Sequence, residues 1–279
     1  MSDEIFIQKL VAEHEAKTTQ STPQSTTQTS YPSELVYLPS KGYFYPTTSP
    51  LTKGSVEMKM MTAREEDILT NENYIKSGIV LDKLLESLIT TPNVKVSDLL
   101  MVDKNALFVA ARRLAYGDNY GPLKIQCKKC GEQNDTGVNL NDINEKEVNF
   151  ESFQRGVNEF AFTLPFSKRN IVFKLLTSLD EEIISKDSKA LLKIKKNASA
   201  EVTTRLKRII VELDGKRDIA TINKFIDNDL LSKDSMALRA YIKELSPELD
   251  MSFNFTCEHC GNEERMDIPM TVSFFWPES

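Results

Sequence analysis

The chain has four cysteines, and all of them fall in two C-x-x-C pairs, Cys127/Cys130 and Cys257/Cys260. The pairs stand in matching settings. One is Lys124-Ile125-Gln126-Cys127-Lys128-Lys129-Cys130-Gly131, the other Asn254-Phe255-Thr256-Cys257-Glu258-His259-Cys260-Gly261. Each follows a strand-like segment and is followed by glycine, polar residues and a second strand-like segment. This resembles the two knuckles of a zinc ribbon. The spacing lets both thiolates of a turn face one ion, and the glycine relieves the backbone where it folds back. Four thiolates form a closed tetrahedral site, which is structural and leaves no open position for water. The competing readings are disulfides or an active thiol pair, which need an oxidising compartment or thioredoxin-like surroundings, and unliganded cysteines. His259 is a candidate only as a replacement for one thiolate.

The distance between the pairs constrains the fold further. Between Cys130 and Cys257 lie 126 residues, far more than a compact ribbon carries. Loop closure grows only logarithmically, so bridging that span costs about 4 kcal/mol. Structural zinc in small peptides contributes roughly 10–16 kcal/mol. A metal can therefore join the distant segments, and the intervening residues must fold as a unit of their own.

The flanking patterns give an α+β reading. Leu35 to Pro46 reads as strand, turn at Pro39-Ser40-Lys41-Gly42, strand. Val56 to Met60 alternates as a strand, and Thr62-Ala63-Arg64-Glu65 has capping-box spacing for a helix to about Asn71. A helix is expected from Val80 to Ile89, a capped turn at Ser97 or Asp98, and a helix from Asp103 to Ala115 ended by Gly117. Val138 and Leu140 are strand-like, and 141–155 reads as loop. Glu159 to Pro165 and Asn170 to Leu175 form an expected hairpin with Ser167-Lys168-Arg169 at its tip. Helices are expected near 178–195, 200–213, 218–228 and 233–245. Strand patterns return at Met251 to Phe255 and from Met266 to Phe275.

The expected organisation has four parts. Residues 1–32 are a flexible N-terminal tether with a short amphipathic helix, because Lys17 to Ser30 is almost entirely Ser, Thr and Gln and buries too little to order itself. Residues 33–176 form a mixed α/β part with the first knuckle and the hairpin. An inserted helical bundle occupies 177–248. The second knuckle and a C-terminal strand occupy 249–279. The apolar end from Met270 to Trp276 is read as buried under the ribbon or, alternatively, as an exposed anchor for a partner.

Composition narrows the chemistry. The net charge of −6 is the wrong sign for nonspecific nucleic-acid binding, which is driven by neutralised phosphates and released counterions. The small basic clusters Arg112-Arg113, Lys128-Lys129 and Lys193/Lys195/Lys196 read as solvated faces. Only two histidines, His14 and His259, are present, so a His-based triad or His-rich catalytic metal site is poorly supplied. Phosphate-cradling glycine loops and a G-x-S-x-G elbow are missing. The acids Glu65, Glu66 and Asp67, like Asp180, Glu181 and Glu182, sit at helix starts, where the dipole favours them. No apolar run reaches the ~18 residues of a membrane span, and the acidic start gives no secretory signal. The expectation is a cytoplasmic, non-enzymatic protein.

Several blocks carry a resemblance beyond composition. They are Leu38-Pro39-Ser40-Lys41-Gly42-Tyr43, then Val56 through Met61-Thr62-Ala63-Arg64-Glu65-Glu66-Asp67-Ile68-Leu69, then Ile75 to Ile89 with Gly78 inside it. A fourth runs from Asp103 through Arg112-Arg113-Leu114-Ala115-Tyr116-Gly117, just before the first cysteine pair. Together they resemble the baseplate hub and hub-assembly proteins of T-even-type tailed bacteriophages. Lys104 and Phe108 are mild departures. The resemblance covers about residues 35–140, and 250–275 through the cysteines; residues 177–247 match only in general character. It implies a protein that helps build the hub of a contractile-tail baseplate by contacts with hub proteins, either as a subunit or as an assembly factor that leaves. It brings no catalytic residues. It places the protein in the host cytoplasm during assembly, or in the virion tail baseplate. The competing reading is a nucleic-acid-binding zinc-ribbon regulatory factor.

Overall fold

The computed structural model describes residues 32–194 and 201–275. The helix and tether expected before Tyr31, the side chains of Lys193, Lys195 and Lys196, and Trp276 lie outside these described residues. Among the described residues, eight α-helices and four small antiparallel sheets make the fold α+β.

β1 (Ser33–Tyr37) pairs with β2 (Ser55–Lys59) so that Val36 faces Val56. The second arm of the expected strand–turn–strand at Leu35 to Pro46 does not form. Phe44 and Tyr45 are drawn into the core instead, and residues 39–45 wind inward as turns. Gly42 makes this possible. Its φ is +71°, and a Cβ there would lie 2.6 Å from the carbonyl oxygens of Leu51 and Thr52.

The turn is locked from a distance. Asp103 accepts from the Ser40 backbone N–H (2.9 Å), the Ser40 hydroxyl (2.6 Å) and the Tyr45 hydroxyl (2.6 Å). The Tyr45 oxygen in turn accepts from the Leu100 N–H at 2.9 Å. Asp103 lies in the first turn of the helix over Met101–Tyr116, so two of the motif blocks named above meet in one buried network.

α1 (Ala63–Leu69) starts on the expected capping box, with the Thr62 N–H donating to Glu65 at 2.8 Å. Glu65 is fully buried. It also accepts from Lys59 (2.8 Å) and from Ser87 (2.6 Å) of α3 (Val80–Leu88). Between them runs α2 (Glu72–Ser77), which was not anticipated; the Asn71 side chain caps it, and Gly78 ends it at positive φ. A turn forms at Val96–Asp98 as a short 3-10 helix, but Ser97 and Asp98 lie within it and do not cap it; its N-cap is Lys95, whose side chain makes no capping bond. α4 (Met101–Tyr116) begins two residues earlier than expected and buries Leu107 and Ala111.

β3 (Asn119–Gln126) and β4 (Gln133–Asn139) flank the first knuckle. The hairpin β5 (Phe160–Thr163) and β6 (Asn170–Phe173) forms as expected. α5 (Ser178–Ile194), α7 (Ile219–Asn228) and α8 (Ser232–Leu245) also match the expected helices closely. The helix expected over 200–213 is split. α6 (Glu201–Ile209) stops, and β7 (Ile210–Leu213) joins β6 as the third strand of that sheet, with Ile171 opposite Leu213. Ile210 and Leu213 are buried there, and Asp214-Gly215 at positive φ turns the chain away. β8 (Ser252–Thr256) and β9 (Glu263–Asp267) flank the second knuckle.

One continuous apolar cluster runs from Leu38 through Leu84, Leu107, Phe173 and Leu238 to Phe274 and Phe275. Phe274 packs 4.9 Å from Tyr120, and Phe275 packs 5.8 Å from Phe108. Both rings are fully buried, so at these two positions the C-terminal apolar stretch closes the core.

Candidate metal centre

Each knuckle is a tight turn between two strands. The Gly131 N–H donates to the Cys127 carbonyl (2.8 Å), and the Cys127 N–H to the Glu132 carbonyl (2.9 Å). The second turn repeats this pattern: Gly261 to Cys257 at 2.9 Å, and Cys257 to Asn262 at 2.9 Å. Gly131 and Gly261 have φ of +79° and +65°, the left-handed conformation that the reversal after each pair requires. Backbone N–H groups inside each turn, from Lys129 and Cys130 and from His259 and Cys260, point back at Cys127 and Cys257. The pattern reflects the local sequence, because both pairs are followed directly by Gly.

The four sulfurs come together across the chain, all within 4.8 Å of one another. Cys127 Sγ lies 3.7 Å from Cys260 Sγ, and Cys130 Sγ lies 3.6 Å from Cys257 Sγ. A disulfide needs sulfurs about 2.05 Å apart. A tetrahedral site with Zn–S near 2.3 Å puts them about 3.8 Å apart. The spacing therefore suits a tetrahedral thiolate site, and all four cysteines are free thiols. His259 is exposed on the second turn and stands outside the group.

The electrostatics show what the sulfurs do to one another. Backbone N–H groups of Cys130 and Lys129 pull the Cys127 thiol down. Burial pushes Cys257 up, but the N–H groups of Cys260 and His259 and the neighbouring thiols outweigh it and hold Cys257 at about 6. At Cys130 the Glu132 N–H pulls downward, yet burial and the three other sulfurs win and raise it to about 12. Four clustered thiols cannot all ionise unaided, and a divalent cation is the partner that lets them. All four residues can hold a metal ion, and with four sulfur donors the centre would be closed.

Two supports were not legible beforehand. Asn134, almost fully buried, bridges the knuckles: its side-chain oxygen accepts from the Glu258 N–H at 2.9 Å, while its amide donates to the Glu132 carbonyl at 3.1 Å. Phe255 is buried between Cys127 and Cys257, with Ile125, Phe253 and Met266 around them. Asn134 gave no signal, whereas Phe255 was visible as an apolar position of β8. Lys128 pairs with Glu264 across the knuckles.

The other singled-out charges have structural partners. Arg112 is buried over the rings of Tyr116 and Tyr120, and Arg113 pairs with Asp118 at 2.8 Å. Asp180 accepts from Lys174 (2.7 Å) and Arg208 (2.8 Å). None of these side chains belongs to the sulfur group.

The chain is thus an α+β body whose distant segments converge on a ribbon-like group of four cysteines that can hold a metal ion. A family model described as T4 bacteriophage base plate protein matches residues 43–276, and the chain belongs to that family. The match includes the helices between the knuckles, where the motif blocks were silent. Comparison with curated proteins and with solved structures found no match. No helix among the described residues is long and apolar enough to cross a membrane.

Proposed function

We propose that this baseplate-family protein is a structural or assembly component of the baseplate hub of a contractile-tail phage, acting through protein–protein contacts with hub proteins. The observation that carries the reading is the family match across nearly the whole folded chain. The metal of the centre is zinc, held by Cys127, Cys130, Cys257 and Cys260, and its role is structural. The thiol-only donor set and the sulfur spacing support zinc. Catalysis has no part in this role. The protein acts in the host cytoplasm during assembly and, as a subunit, in the virion tail.

Quantitative mass spectrometry on purified virions and on hub complexes from infected-cell lysate tests the reading. A few copies per virion identify a permanent subunit. Presence only in lysate complexes identifies an assembly factor. Absence from both overturns the hub assignment and returns the protein to the competing class, a zinc-ribbon regulator with salt-sensitive nucleic-acid binding.

A further inference from the structure

The two edges of the β1–β2 sheet are treated differently. The β2 edge is covered: the Glu57 carbonyl accepts from the Thr90 N–H (2.8 Å), and the Glu57 N–H donates to the Thr91 hydroxyl (2.6 Å). The β1 edge has no strand beside it among the described residues. Its outward groups follow from the register. Pro32 accepts from the Met60 N–H, and the Leu38 N–H donates to Gly54, so the even-numbered residues of β1 face β2. The N–H and C=O groups of Ser33, Leu35 and Tyr37 therefore point away from the sheet.

That edge borders a groove of about 350 Å³. Its far wall is the face of α4 that carries Ala106, Val109, Ala110 and Leu114, and Leu140 and Ile143 also line it. Leu35 and Tyr37 are 51% and 70% exposed on the near side. Glu34 and Glu145 also line the groove, exposed and without an ion-pair partner among the described residues, whereas Arg113 is already paired with Asp118.

We infer that this edge and groove form a strand-docking site for an extended, apolar segment of a partner protein that carries lysine or arginine at its ends. An open strand edge recruits an extended backbone, the groove takes alternate side chains, and the two carboxylates set the sign of the flanks. A second copy of this chain fits less well, because β1 against β1 would bring Glu34 and its counterpart to one interface. The inference rests on the hub reading only for the partner's origin; the edge itself can be tested alone.

The probe is a capped nine-residue peptide that alternates valine and threonine between lysine ends, with a glutamate-ended version beside it. Amide exchange of the full, metal-loaded chain is followed by NMR. Without peptide, the Leu35 and Tyr37 amides should exchange quickly, and Glu34 and Val36 slowly. A saturating amount of the lysine-ended peptide should slow Leu35 and Tyr37 at least about tenfold, and it should bind about tenfold tighter than the glutamate-ended peptide. Leu35→Pro removes an outward N–H without costing a bond to β2, and should abolish the protection. Should that variant fold poorly, the Glu34→Lys/Glu145→Lys pair should invert the charge preference. No protection by either peptide overturns the inference. Protection of the same amides by self-association at high concentration overturns the choice of occupant. Either result is distinct from absence of the protein from baseplate complexes, which would strike the hub reading instead.

Discussion

The body around α4 and the cysteine ribbon achieve order by opposite means. The body has a continuous apolar cluster, and its carboxylates Asp103 and Glu65 are buried among donors that reach them from other elements. The knuckle end of the ribbon has a separate cluster of three buried residues, Cys127, Phe255 and Cys257, two of which are metal-ligand candidates, while at the ribbon's base Tyr120 and Val138 join the body's cluster. A two-stranded hairpin is marginal alone, and here two such hairpins meet over one aromatic ring. A body of this kind folds from its own burial, whereas the ribbon needs an added cross-link. A metal ion held by the four cysteines would serve that need, because it would tie together segments whose closure the chain must otherwise achieve unaided.

Metal removal should separate the two regions most strongly. Structural zinc is worth roughly 10–16 kcal/mol in isolated peptides. Chelation should therefore expose the amides of 123–136 and 252–267 to exchange while those of α4 and β6 stay protected. Four reactive thiols should appear by titration, and one zinc per chain should leave. A purified chain with no metal, four free thiols and a protected ribbon would refute the contrast. Cys257→Ser should act in the same direction.

Next in size is the body's own lock. Asp103→Ala strands the Ser40 N–H, the Ser40 hydroxyl and the Tyr45 hydroxyl, a loss of roughly 3–5 kcal/mol. Urea unfolding followed on the body should show a lower midpoint at the same slope, with zinc content unchanged. Loss of metal instead would mean that the two regions are not energetically separate.

Phe255→Ala probes the ribbon from its apolar side and should cost about 3 kcal/mol locally. Its signature is a weaker hold on zinc, read by competition with a chelator, with the urea midpoint of the body little changed. An unchanged zinc affinity would mean that the thiolates alone define the ribbon.

The same division explains what was legible in the sequence. The knuckles were legible because their chemistry is local: two thiols and a glycine within five residues define a turn. The long helices were legible from their periodicity. β7 was not, because Leu206, Ile209, Ile210 and Leu213 recur at i, i+3, i+4 and i+7, the spacing of a helical face. Sheet pairing with β6 overrode that pattern from Ile210 onward. The strand expected after Gly42 failed for a similar reason, since the aromatic residues that suggested it are needed in the core. Asp103 and Glu65 were legible as helix-start acids, but apart from the Thr62–Glu65 capping pair their partners were not. Ser40 lies 63 residues from Asp103, and no spacing rule connects them.

Those two carboxylates give the most discriminating test. Both are buried, yet they titrate in opposite directions. At Asp103 burial dominates over hydrogen bonds from neutral donors, and its pKa is raised. At Glu65 burial also pushes upward, but Lys59 adds a positive charge, and with Ser87 and Thr62 it lowers the group from 4.5 to about 2. A depressed carboxylate stabilises the fold fully above its unfolded pKa and loses that contribution as pH falls through the folded one. The window for Glu65 therefore runs from 4.5 down to about 2, and its contribution at neutral pH is about 3 kcal/mol. Glu65→Gln should lose that amount at pH 7 and converge with the unsubstituted chain near the bottom of the window. Other depressed acids, such as Asp180 and Asp234, titrate in both proteins and cancel in the difference. A difference that stays constant from pH 7 to the acid limit would show that Glu65 acts through shape and not through its charge. The acid sensitivity of the body would then have to come from those other carboxylates.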